Sequence, residues 1–400
     1  MRRAGLRGAA LQGWSFDRRA APLLLSDDPA LKEALLRCLD GWSLQPVRSR
    51  PDEALAIARE ASCGRWKITS RYSDRPTGAL PLASAVCALI ADLSLARLES
   101  GEDLLGLHAA AVALGGQAFV LTGPARAGKT SFATRLAAEP GAEFICDDVL
   151  AITPDDQAMS FGIAPRLRLP LPPDPTLRRL LGGGGVLRDD RYAYVRLPSA
   201  QPCGAKSPIA AILSFERRGD HPPGLRALPA EEALPLLLRQ TLTRFETASQ
   251  ALDRLTALTM RLPRARLICS DPDEGIALLR AWQAQGLPQD LPEALLPLSS
   301  QAVAPDLPRP ASGQIFARNP AVRLRASGQM VWLWQEEDGF LWELNPMAHA
   351  LWQMLEMPGS VDDLAEVMAE LFPDTAPARI REDLGRCLAQ FHQERLVVVR

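Results

Sequence analysis

The feature that most constrains this chain is a loop at residues 123–130, whose sequence is Gly-Pro-Ala-Arg-Ala-Gly-Lys-Thr. The loop satisfies every position of the phosphate-binding pattern G-x-x-x-x-G-K-[ST]. An apolar run at 117–122 precedes it, and a segment with helical spacing of apolar residues at 131–138 follows it. This is the order of strand, loop and helix that the pattern requires. The sequence therefore predicts a phosphate-binding loop (P-loop) between a buried strand and a helix.

Each residue type in the loop has a physical role in binding a polyphosphate. Glycines let successive backbone N–H groups turn towards a phosphate, and the helix N-terminus adds a partial positive charge. Lys129 would reach the β- and γ-phosphates, and the Thr130 hydroxyl would ligate Mg²⁺. We therefore expect ATP and Mg²⁺ as cofactors. The predicted nucleotide contacts are Gly123, Pro124, Ala125, Arg126, Ala127, Gly128, Lys129, Thr130 and Ser131.

The composition is that of a globular protein with two or three domains. The chain has 400 residues, of which 47% are hydrophobic and 23% are charged, and its net charge is −2. Such a charge gives no general attraction to nucleic acid or to a membrane surface. The seven cysteines are scattered without metal-ligand spacing, and the sequence has no apolar run of the roughly 18 residues that a membrane span needs. We expect a cytoplasmic protein with neither nucleic acid nor membrane as a partner.

Apolar periodicity and proline content divide the chain into four predicted regions. They are an N-terminal mixed α/β region at 1–105, a P-loop catalytic domain at 106–285, a proline-rich linker at 286–312 and a C-terminal domain at 313–400. In the first region, apolar spacing predicts helices at 28–39, 52–60 and 83–98. The catalytic domain begins with a predicted hairpin, whose Gly115-Gly116 turn leads the chain into the P-loop strand.

Two neighbouring carboxylates are the main catalytic candidates. Asp147 and Asp148 follow an apolar run at 142–146, and strand ends are where α/β sheets place ligand chemistry. Phosphoryl transfer needs a base for the attacking hydroxyl and cations to neutralise phosphate charge. Two adjacent carboxylates can divide this work between the hydroxyl and Mg²⁺. A helix cap or a solvated turn remains an alternative explanation of the pair.

Three further polar residues are candidates for the same site. His108 lies before the P-loop strand, and its alternative role is that of a buried structural histidine. Arg166 and Arg168 could clamp a phosphate, although paired arginines are commonly solvated or salt-bridged. The sequence lacks the Asn-Lys-x-Asp motif that reads guanine and the Leu-Ser-Gly-Gly-Gln motif of transport ATPases. GTPases and transport ATPases are therefore disfavoured.

In the order of these motifs, the chain resembles the HPr kinase/phosphorylase superfamily. The matching segments are Leu107–Val112, the P-loop and Cys146–Val149, and the resemblance extends over about 105–285. It implies an α/β P-loop kinase core of the HPr kinase and phosphoenolpyruvate carboxykinase type, which phosphorylates a serine hydroxyl of a protein. By this resemblance the catalytic residues are Asp147 as base, Asp148 as metal ligand or partner of His108, His108 itself and Lys129; Thr130 and Asp148 are the metal ligands.

Residues 313–400 resemble the PqqD-like peptide-recognition domain of gene clusters that modify ribosomally made peptides. The segments that carry the resemblance are Asn319–Arg325, Trp342–Pro346, Ala348–Trp352, Ser360–Leu364 and Glu382–Leu384. The resemblance implies an α+β winged-helix domain that binds a leader peptide as an added strand, beside its third strand and against its third helix. The predicted peptide contacts are Phe340, Leu341, Trp342, Glu343, Leu344, Arg379 and Arg386. A winged helix bound to DNA is the alternative, and the mixed charge of the third helix argues against it.

Together these features predict an ATP-dependent kinase that phosphorylates a Ser or Thr hydroxyl of a ribosomally synthesised precursor peptide or small protein. Its predicted partners are the leader of that precursor and other enzymes of a peptide-modification cluster, and a homo-oligomer is left open. Two alternatives remain. One is a nucleotide-gated peptide-binding chaperone that presents the precursor to another enzyme. The other is a kinase of a metabolic carrier protein, in which the last domain is regulatory.

Overall fold

The computed structural model describes residues 11–15, 23–26, 28–43, 45–46, 55–60, 62–72, 78–100, 102–124, 126–183, 187–243, 245, 247–293, 310–311, 313–327, 330–335, 341–371, 373 and 375–400. The chain divides into two compact units. The first comprises Met1–Thr243 and Leu258–Ala294, and the second comprises Arg244–Ala257 and Leu295–Arg400. Among the described residues, every helix is too short or too polar to cross a membrane.

The N-terminal part of the first unit is a sheet with the strand order β3-β1-β2-β4-β5, accompanied by two helices. Its elements are β1 (Leu11–Ser15), β2 (Leu23–Ser26), α1 (Pro29–Cys38), β3 (Gln45–Pro46), β4 (Leu55–Arg59), β5 (Trp66–Thr69) and α2 (Leu82–Leu98). Asp28 caps α1 by accepting the N–H groups of Ala30 and Leu31. The helices predicted at 28–39 and 83–98 are confirmed.

The helix predicted at 52–60 is wrong. Its described part contains the strand β4, which pairs in parallel with β2 and antiparallel with β5; residues 52–54 lie outside the described residues. The first four residues of β4, Leu-Ala-Ile-Ala, are all buried. A short apolar run that is buried on both faces has no periodicity to distinguish a strand from a helix.

A larger mixed sheet follows between residues 105 and 284. Its elements and those around it are β6 (Leu105–Leu107), β7 (Ala110–Leu114), β8 (Gln117–Thr122), α3 (Lys129–Ala137), β9 (Ala142–Cys146), β10 (Leu150–Ile152), β11 (Gln157–Met159), β12 (Arg166–Arg168), α4 (Pro175–Gly182), β13 (Leu187–Arg188), β14 (Tyr192–Tyr194), β15 (Lys206–Arg217), β16 (Gly224–Ala227), α5 (Ala230–Arg239), α6 (Ala248–Arg261), β17 (Arg264–Cys269) and α7 (Pro272–Ala284). The mixed α/β character predicted for this region is confirmed.

The strand order of this sheet positions the P-loop. The order is β6-β10-β11-β15-β8-β7-β9, and β17 adds to β15 and carries β16. β8, β15 and β17 run parallel to one another, whereas β7 runs antiparallel to both β8 and β9. The C-terminal ends of β8, β9, β15 and β17 and the N-terminal end of β7 therefore meet at one edge of the sheet.

The predicted hairpin is confirmed as β7 and β8. Leu114 pairs with Gln117 at its end, and the two residues between them are Gly115 and Gly116, with φ values of 55° and 79°. Positive φ at both central positions is what a tight hairpin turn of this type requires, and glycine adopts it without steric cost. The turn fixes the register of β8 and hence the point at which the P-loop begins.

Apolar side chains from the sheet, α3 and α7 form the core beneath the P-loop. Phe119 and Leu121 of β8 are buried with Phe132 of α3 and Leu279 of α7. A second core joins the N-terminal sheet and α2 to the region around β14, because Tyr194 is buried among the same residues. The N-terminal residues and the P-loop region are therefore packed as parts of one unit.

From residue 316 onward, the described part of the C-terminal unit contains two small sheets and three helices. Its elements from residue 316 are β18 (Phe316–Arg318), β19 (Arg323–Ser327), β20 (Met330–Trp334), β21 (Leu341–Leu344), α8 (Pro346–Met354), α9 (Val361–Leu371), α10 (Pro377–Gln393) and β22 (Val397–Val399). Apolar spacing and turn residues in the sequence predict three short strands at 322–325, 330–334 and 340–344, three helices ending near 356, 371 and 393, and a last strand at 395–399. The structure confirms these elements in the residues that it describes. The sequence did not predict β18, which pairs antiparallel with β22.

Candidate functional site

At the two glycine positions of the pattern, 123 and 128, the P-loop backbone has a conformation that favours glycine. Gly123 has φ of 136°, and a Cβ there would lie 2.7 Å from the backbone oxygen of Phe215. Gly128 has φ of 97° and immediately precedes α3. Both conformations lie in the region that L side chains rarely adopt. The loop therefore turns sharply from β8 onto the N-terminus of α3.

Lys129 is held inside the loop by its own backbone. The side chain is 6% exposed, and its Nζ donates to the backbone oxygens of Gly123 at 2.9 Å and Pro124 at 3.0 Å. Burial lowers the pKa of Lys129, and the nearby charge of Asp148 partly opposes that shift. The ammonium therefore lies on the concave side of the loop, where it could also donate a hydrogen bond to a bound phosphate.

The other predicted loop contacts surround Lys129. Pro124 and Arg126 are exposed, and Ala127, Gly128, Thr130 and Ser131 are half-buried. Arg126 has a positive φ of 67°, which costs energy in a residue with a side chain. Ala125 lies outside the described residues.

The topology of the sheet brings the predicted catalytic residues together. The P-loop follows β8, Asp147 and Asp148 follow β9, and His108 precedes β7, which lies between those two strands. Because these three ends meet at one edge, the residues line a common cavity of about 850 Å³. Adjacent strands are about 4.8 Å apart, so the carboxylates lie about two strand spacings from the P-loop strand.

Asp147 is a buried carboxylate with a raised pKa. It is 5% exposed, and its Oδ2 accepts the backbone N–H of Arg166 at 2.9 Å. Burial raises the pKa of Asp147 to about 7, the negative charge of Asp148 adds to the rise, and Arg166 opposes it. A carboxylate with this pKa can accept a proton near neutral pH.

Asp148 is the more solvated and more strongly paired member of the two. Its Oδ1 lies 3.6 Å from His108 Nε2, and its Oδ2 accepts a charged hydrogen bond from the Arg166 guanidinium. Burial by itself would raise the pKa of Asp148, but His108, Arg166 and Lys129 outweigh it, and the pKa lies below its usual range. The pKa values of the two neighbouring carboxylates are therefore shifted in opposite directions. This is typical of sites in which one group acts as base and the other as ligand.

Among the described residues that line the cavity, cations outnumber carboxylates. Besides Asp147 and Asp148, the charged residues that line it are Arg126, Lys129, Arg166, Arg168 and Arg217. Arg166 also stacks on Tyr192, with the guanidinium carbon 4.8 Å from the ring centroid. A concave surface with this balance attracts a polyanion. Thus Arg166 is part of the site and fixes the carboxylates.

Sequence reasoning missed two contributors to this cavity. Arg217 ends β15, and only the parallel pairing of β15 with β8 brings it beside the P-loop. Ala91 and Leu95 of α2 line the cavity from the N-terminal region, to which the sequence assigned no chemistry. No sequence motif predicts that β15 or α2 contributes to the cavity, because each contribution depends on contacts between segments that are distant in the chain.

The donor set fits Mg²⁺ when it is bound with phosphates. Mg²⁺ is usually held in proteins by one or two carboxylates together with substrate phosphates and water. Thr130 and Asp148 line the same cavity, and they supply a hydroxyl and a carboxylate with a lowered pKa. Within the described ranges, the structure brings together no group of three or more His, Cys, Asp or Glu side chains that could hold a metal without such help.

We expect the Asp147→Asn substitution to stabilise the fold at alkaline pH in the absence of nucleotide and metal. The folded-state pKa of about 7 lies above the ordinary value of 3.8, so the folded protein loses stability from this group as pH rises from about 4 to 7. Asparagine cannot ionise and avoids that loss. Thermal unfolding should show a melting temperature several degrees higher than that of the wild type at pH 8, and a smaller difference at pH 5. An equal difference at both pH values would contradict the pKa assignment; Asp190→Asn, at an exposed aspartate, is the control.

A second candidate site is a groove in the C-terminal unit, between β21 and α10. It has a volume of about 280 Å³, and its lining includes Trp342, Glu343, Leu344, Arg386 and Phe391. Leu341 lies on β21 and Arg379 on α10, but neither is among the lining residues. Phe340 lies outside the described residues. β21 is at one end of the described sheet β19-β20-β21, which is the position at which an added strand can pair.

The arginines of α10 are held by acidic side chains. Arg386 forms an ion pair with Asp383, Arg379 lies 3.9 Å from the same carboxylate, and Arg381 lies 2.8 Å from Asp362. DNA-binding helices present basic side chains that neutralise phosphates. Because these arginines are already paired, α10 is a poor surface for DNA.

Comparison with known proteins gives one family match, in the C-terminal part of the chain, and a distant structural likeness. Residues 323–397 match the family model of coenzyme PQQ synthesis protein D (PqqD). A search of curated proteins gave no match. Among solved structures, the chain is similar to an Hpr(Ser) kinase/phosphatase from Coxiella burnetii, with 12% identity, 45% of this chain and 91% of that chain covered, and a TM-score of 0.24.

The matched family model and the matched solved structure carry the names of the two families that the sequence resembles. The C-terminal segment at 323–397 is a PqqD-like domain, as predicted. The solved structure is an Hpr(Ser) kinase/phosphatase, but at that TM-score the likeness supports no further step. The kinase reaction is therefore argued below from the residues of the site itself.

Proposed function

We propose that this chain is an ATP-dependent kinase that phosphorylates a Ser or Thr hydroxyl of a ribosomally synthesised precursor peptide, which its C-terminal domain recruits through the leader. The observation that carries the proposal is the cavity in which a P-loop lysine lies with two carboxylates of opposite pKa shifts. Phosphate binding alone would require only the loop. The adjacent buried carboxylate adds a group that can take a proton from an acceptor hydroxyl.

In this proposal the residues divide the reaction as follows. Asp147 takes the proton of the acceptor hydroxyl while the hydroxyl oxygen bonds to the γ-phosphorus and the bond from that phosphorus to the ADP oxygen breaks. Lys129 donates to the β- and γ-phosphate oxygens, and Arg166 holds Asp148 in place. The proton on Asp147 then passes to solvent. Thr130 and Asp148 would hold Mg²⁺, which neutralises phosphate charge when bound.

Peptide recruitment is assigned to the groove between β21 and α10. A leader that pairs along β21 would gain backbone hydrogen bonds, and its alternate side chains would enter the groove. The apolar residues of the groove, such as Trp342, Leu344 and Phe391, suit apolar leader side chains. The PqqD family match at 323–397 supports this assignment.

Transfer of label from γ-labelled ATP to peptide tests the proposed reaction. The full-length protein should label candidate precursor peptides encoded beside its gene at a Ser or Thr, and removal of the leader should raise the peptide concentration needed. Binding of the peptide without any label transfer would favour the nucleotide-gated chaperone instead. Labelling that does not depend on the leader would favour a kinase of a carrier protein.

We expect the Leu341→Pro substitution to weaken leader binding to the full-length protein roughly tenfold, since proline removes a strand N–H and distorts the strand. Leu341 begins β21. The matched control is Leu324→Pro, which places proline in β19 at the opposite end of the same sheet. Fluorescence anisotropy with a labelled leader measures both affinities. Equal effects of the two substitutions would show that the leader does not pair along β21.

A further inference from the structure

A second cavity lies beside the P-loop in the first unit and has no role in the proposed chemistry. Its volume is about 340 Å³, which is within the range of small-molecule pockets. It shares Gly128, Ser131, Pro172 and Arg217 with the larger cavity. Its lining contains none of His108, Asp147 and Asp148. The two cavities therefore meet at the N-terminus of α3, and the second extends away from the carboxylates.

The order of strand ends along the sheet edge shows on which side of the P-loop this cavity lies. From one side to the other, the strands are β9, β7, β8, β15 and β17. The carboxylates follow β9 and the P-loop follows β8, whereas Arg217 ends β15 and the segment Ser270–Asp273 follows β17. Each step is about 4.8 Å. The second cavity thus lies on the far side of the P-loop from the carboxylates.

This order determines how a nucleoside triphosphate must extend. The γ-phosphate belongs at the end where Lys129 and the carboxylates lie, because transfer occurs there. The α- and β-phosphates are cradled by backbone N–H groups of the loop, and Ser131 follows it on α3. The remainder of the molecule therefore continues past Gly128 and Ser131, towards the ends of β15 and β17.

We propose that the second cavity binds the nucleoside half of the nucleotide, with Arg217 at the junction contacting the α-phosphate. This inference rests on the proposed function, since it assumes that the P-loop holds a triphosphate with its γ-end at the carboxylates. The acceptor peptide is excluded from this cavity because its hydroxyl must reach Asp147, which lines only the larger one. The proposal leaves the larger cavity to the phosphates and the acceptor.

The chemistry of the lining fits a base and a ribose. Its inner part is apolar and includes Leu177 and the rings of Phe132 and Phe215, whose centroids are 4.9 Å apart. Its exposed side carries the carboxylates of Asp271 and Asp273. One oxygen of Asp271 accepts the Asp273 N–H and one oxygen of Asp273 accepts from Arg135, and each carboxylate has a second acceptor oxygen. An apolar interior suits a flat ring, and carboxylates at the opening suit ribose hydroxyls or the amino group of a base.

The structure also provides a way to block this cavity without altering the P-loop. Ser270 is exposed at the end of β17 and lines the cavity, so the Ser270→Trp substitution fills its opening. The matched control is Gly78→Trp. Gly78 is exposed, has no atom within 4 Å of an added Cβ, and lines neither cavity.

Isothermal titration with Mg²⁺–ATP and with inorganic tripolyphosphate tests the assignment. We expect the Ser270→Trp protein to bind ATP roughly tenfold more weakly than the wild type and tripolyphosphate equally well, and the control to bind both as the wild type does. Photolabelling with 8-azido-ATP should modify the segment 269–273 in the wild type. Unchanged ATP affinity of Ser270→Trp, equal loss of both ligands, or labelling confined to other segments would overturn the assignment.

The same titrations distinguish this inference from the function on which it rests. If tripolyphosphate binds the wild type and Lys129→Ala abolishes that binding, the phosphate site stands whatever the result for Ser270→Trp. If the wild type binds neither ligand, the proposed kinase function is contradicted, and the nucleoside assignment fails with it.

Discussion

Replacement of Lys129 with alanine is expected to reduce phosphoryl transfer at least about a hundredfold, while leader binding stays unchanged. A group that neutralises charge in the transition state typically contributes about 3 kcal/mol or more. Lys129 is the buried ammonium of the P-loop, with its Nζ on the concave side, and no other lysine among the described residues lines the cavity. The groove of the C-terminal unit does not involve it, so the leader affinity should not change.

The assay for this prediction is label transfer from γ-labelled ATP to peptide, measured together with leader anisotropy. Lys206→Ala is the matched control, because Lys206 is exposed at the start of β15 and lines neither cavity. Thermal unfolding of both variants shows whether the loop still folds. Transfer by Lys129→Ala at the wild-type rate would remove the P-loop from the reaction, and with it the proposed kinase function.

The second large effect is expected at the carboxylates. Asp147→Asn should reduce turnover by about 10²-fold or more, with nucleotide affinity nearly unchanged, because the variant lacks the proton acceptor. Asp148→Asn should instead raise the Mg²⁺ concentration required for half-maximal activity, because the ion loses a carboxylate ligand. The opposite pKa shifts of the two groups are the basis of this division.

Steady-state rates over a range of ATP and Mg²⁺ concentrations separate the two effects. Asp190→Asn, at an exposed aspartate outside both cavities, controls for the loss of one charge. If the effects of Asp147→Asn and Asp148→Asn are exchanged, so are the two roles. If neither substitution changes turnover, the pair is structural and the kinase proposal loses its base.

The features near the P-loop were predictable because local rules determine them. Gly123 and Gly128 are required by backbone conformation, and Gly115-Gly116 is required by the hairpin turn. β9 is the next strand after the P-loop helix and ends at the same sheet edge as β8, with β7 between them, and so the Asp147-Asp148 pair could be assigned from its position in the sequence. A sequence that satisfies such rules can adopt few other local folds over this segment.

The features that the sequence did not predict depend on distant contacts. The sequence of β4 does not distinguish a strand from a helix, since both faces of the strand are buried. Only its parallel pairing with β2 shows that it is a strand. Arg217 becomes part of the cavity only through the pairing of β15 with β8. β18 is a three-residue strand that forms against β22, about 80 residues later in the chain. Propensity over a short window contains no information about these partners.

The hydrogen bond between Arg166 and Cys87 has a consequence for engineering. The Arg166 guanidinium holds Asp148 on one side and donates to the Cys87 sulfur of α2 on the other. A fragment cut at residue 106 would lose the Arg166–Cys87 hydrogen bond and would remove Tyr194 from the N-terminal core. A hybrid that takes its P-loop region from one parent and its α2 from another would combine side chains that do not come from the same contact. Any recombination of this protein with a relative should therefore transfer α2 and the P-loop region from the same parent.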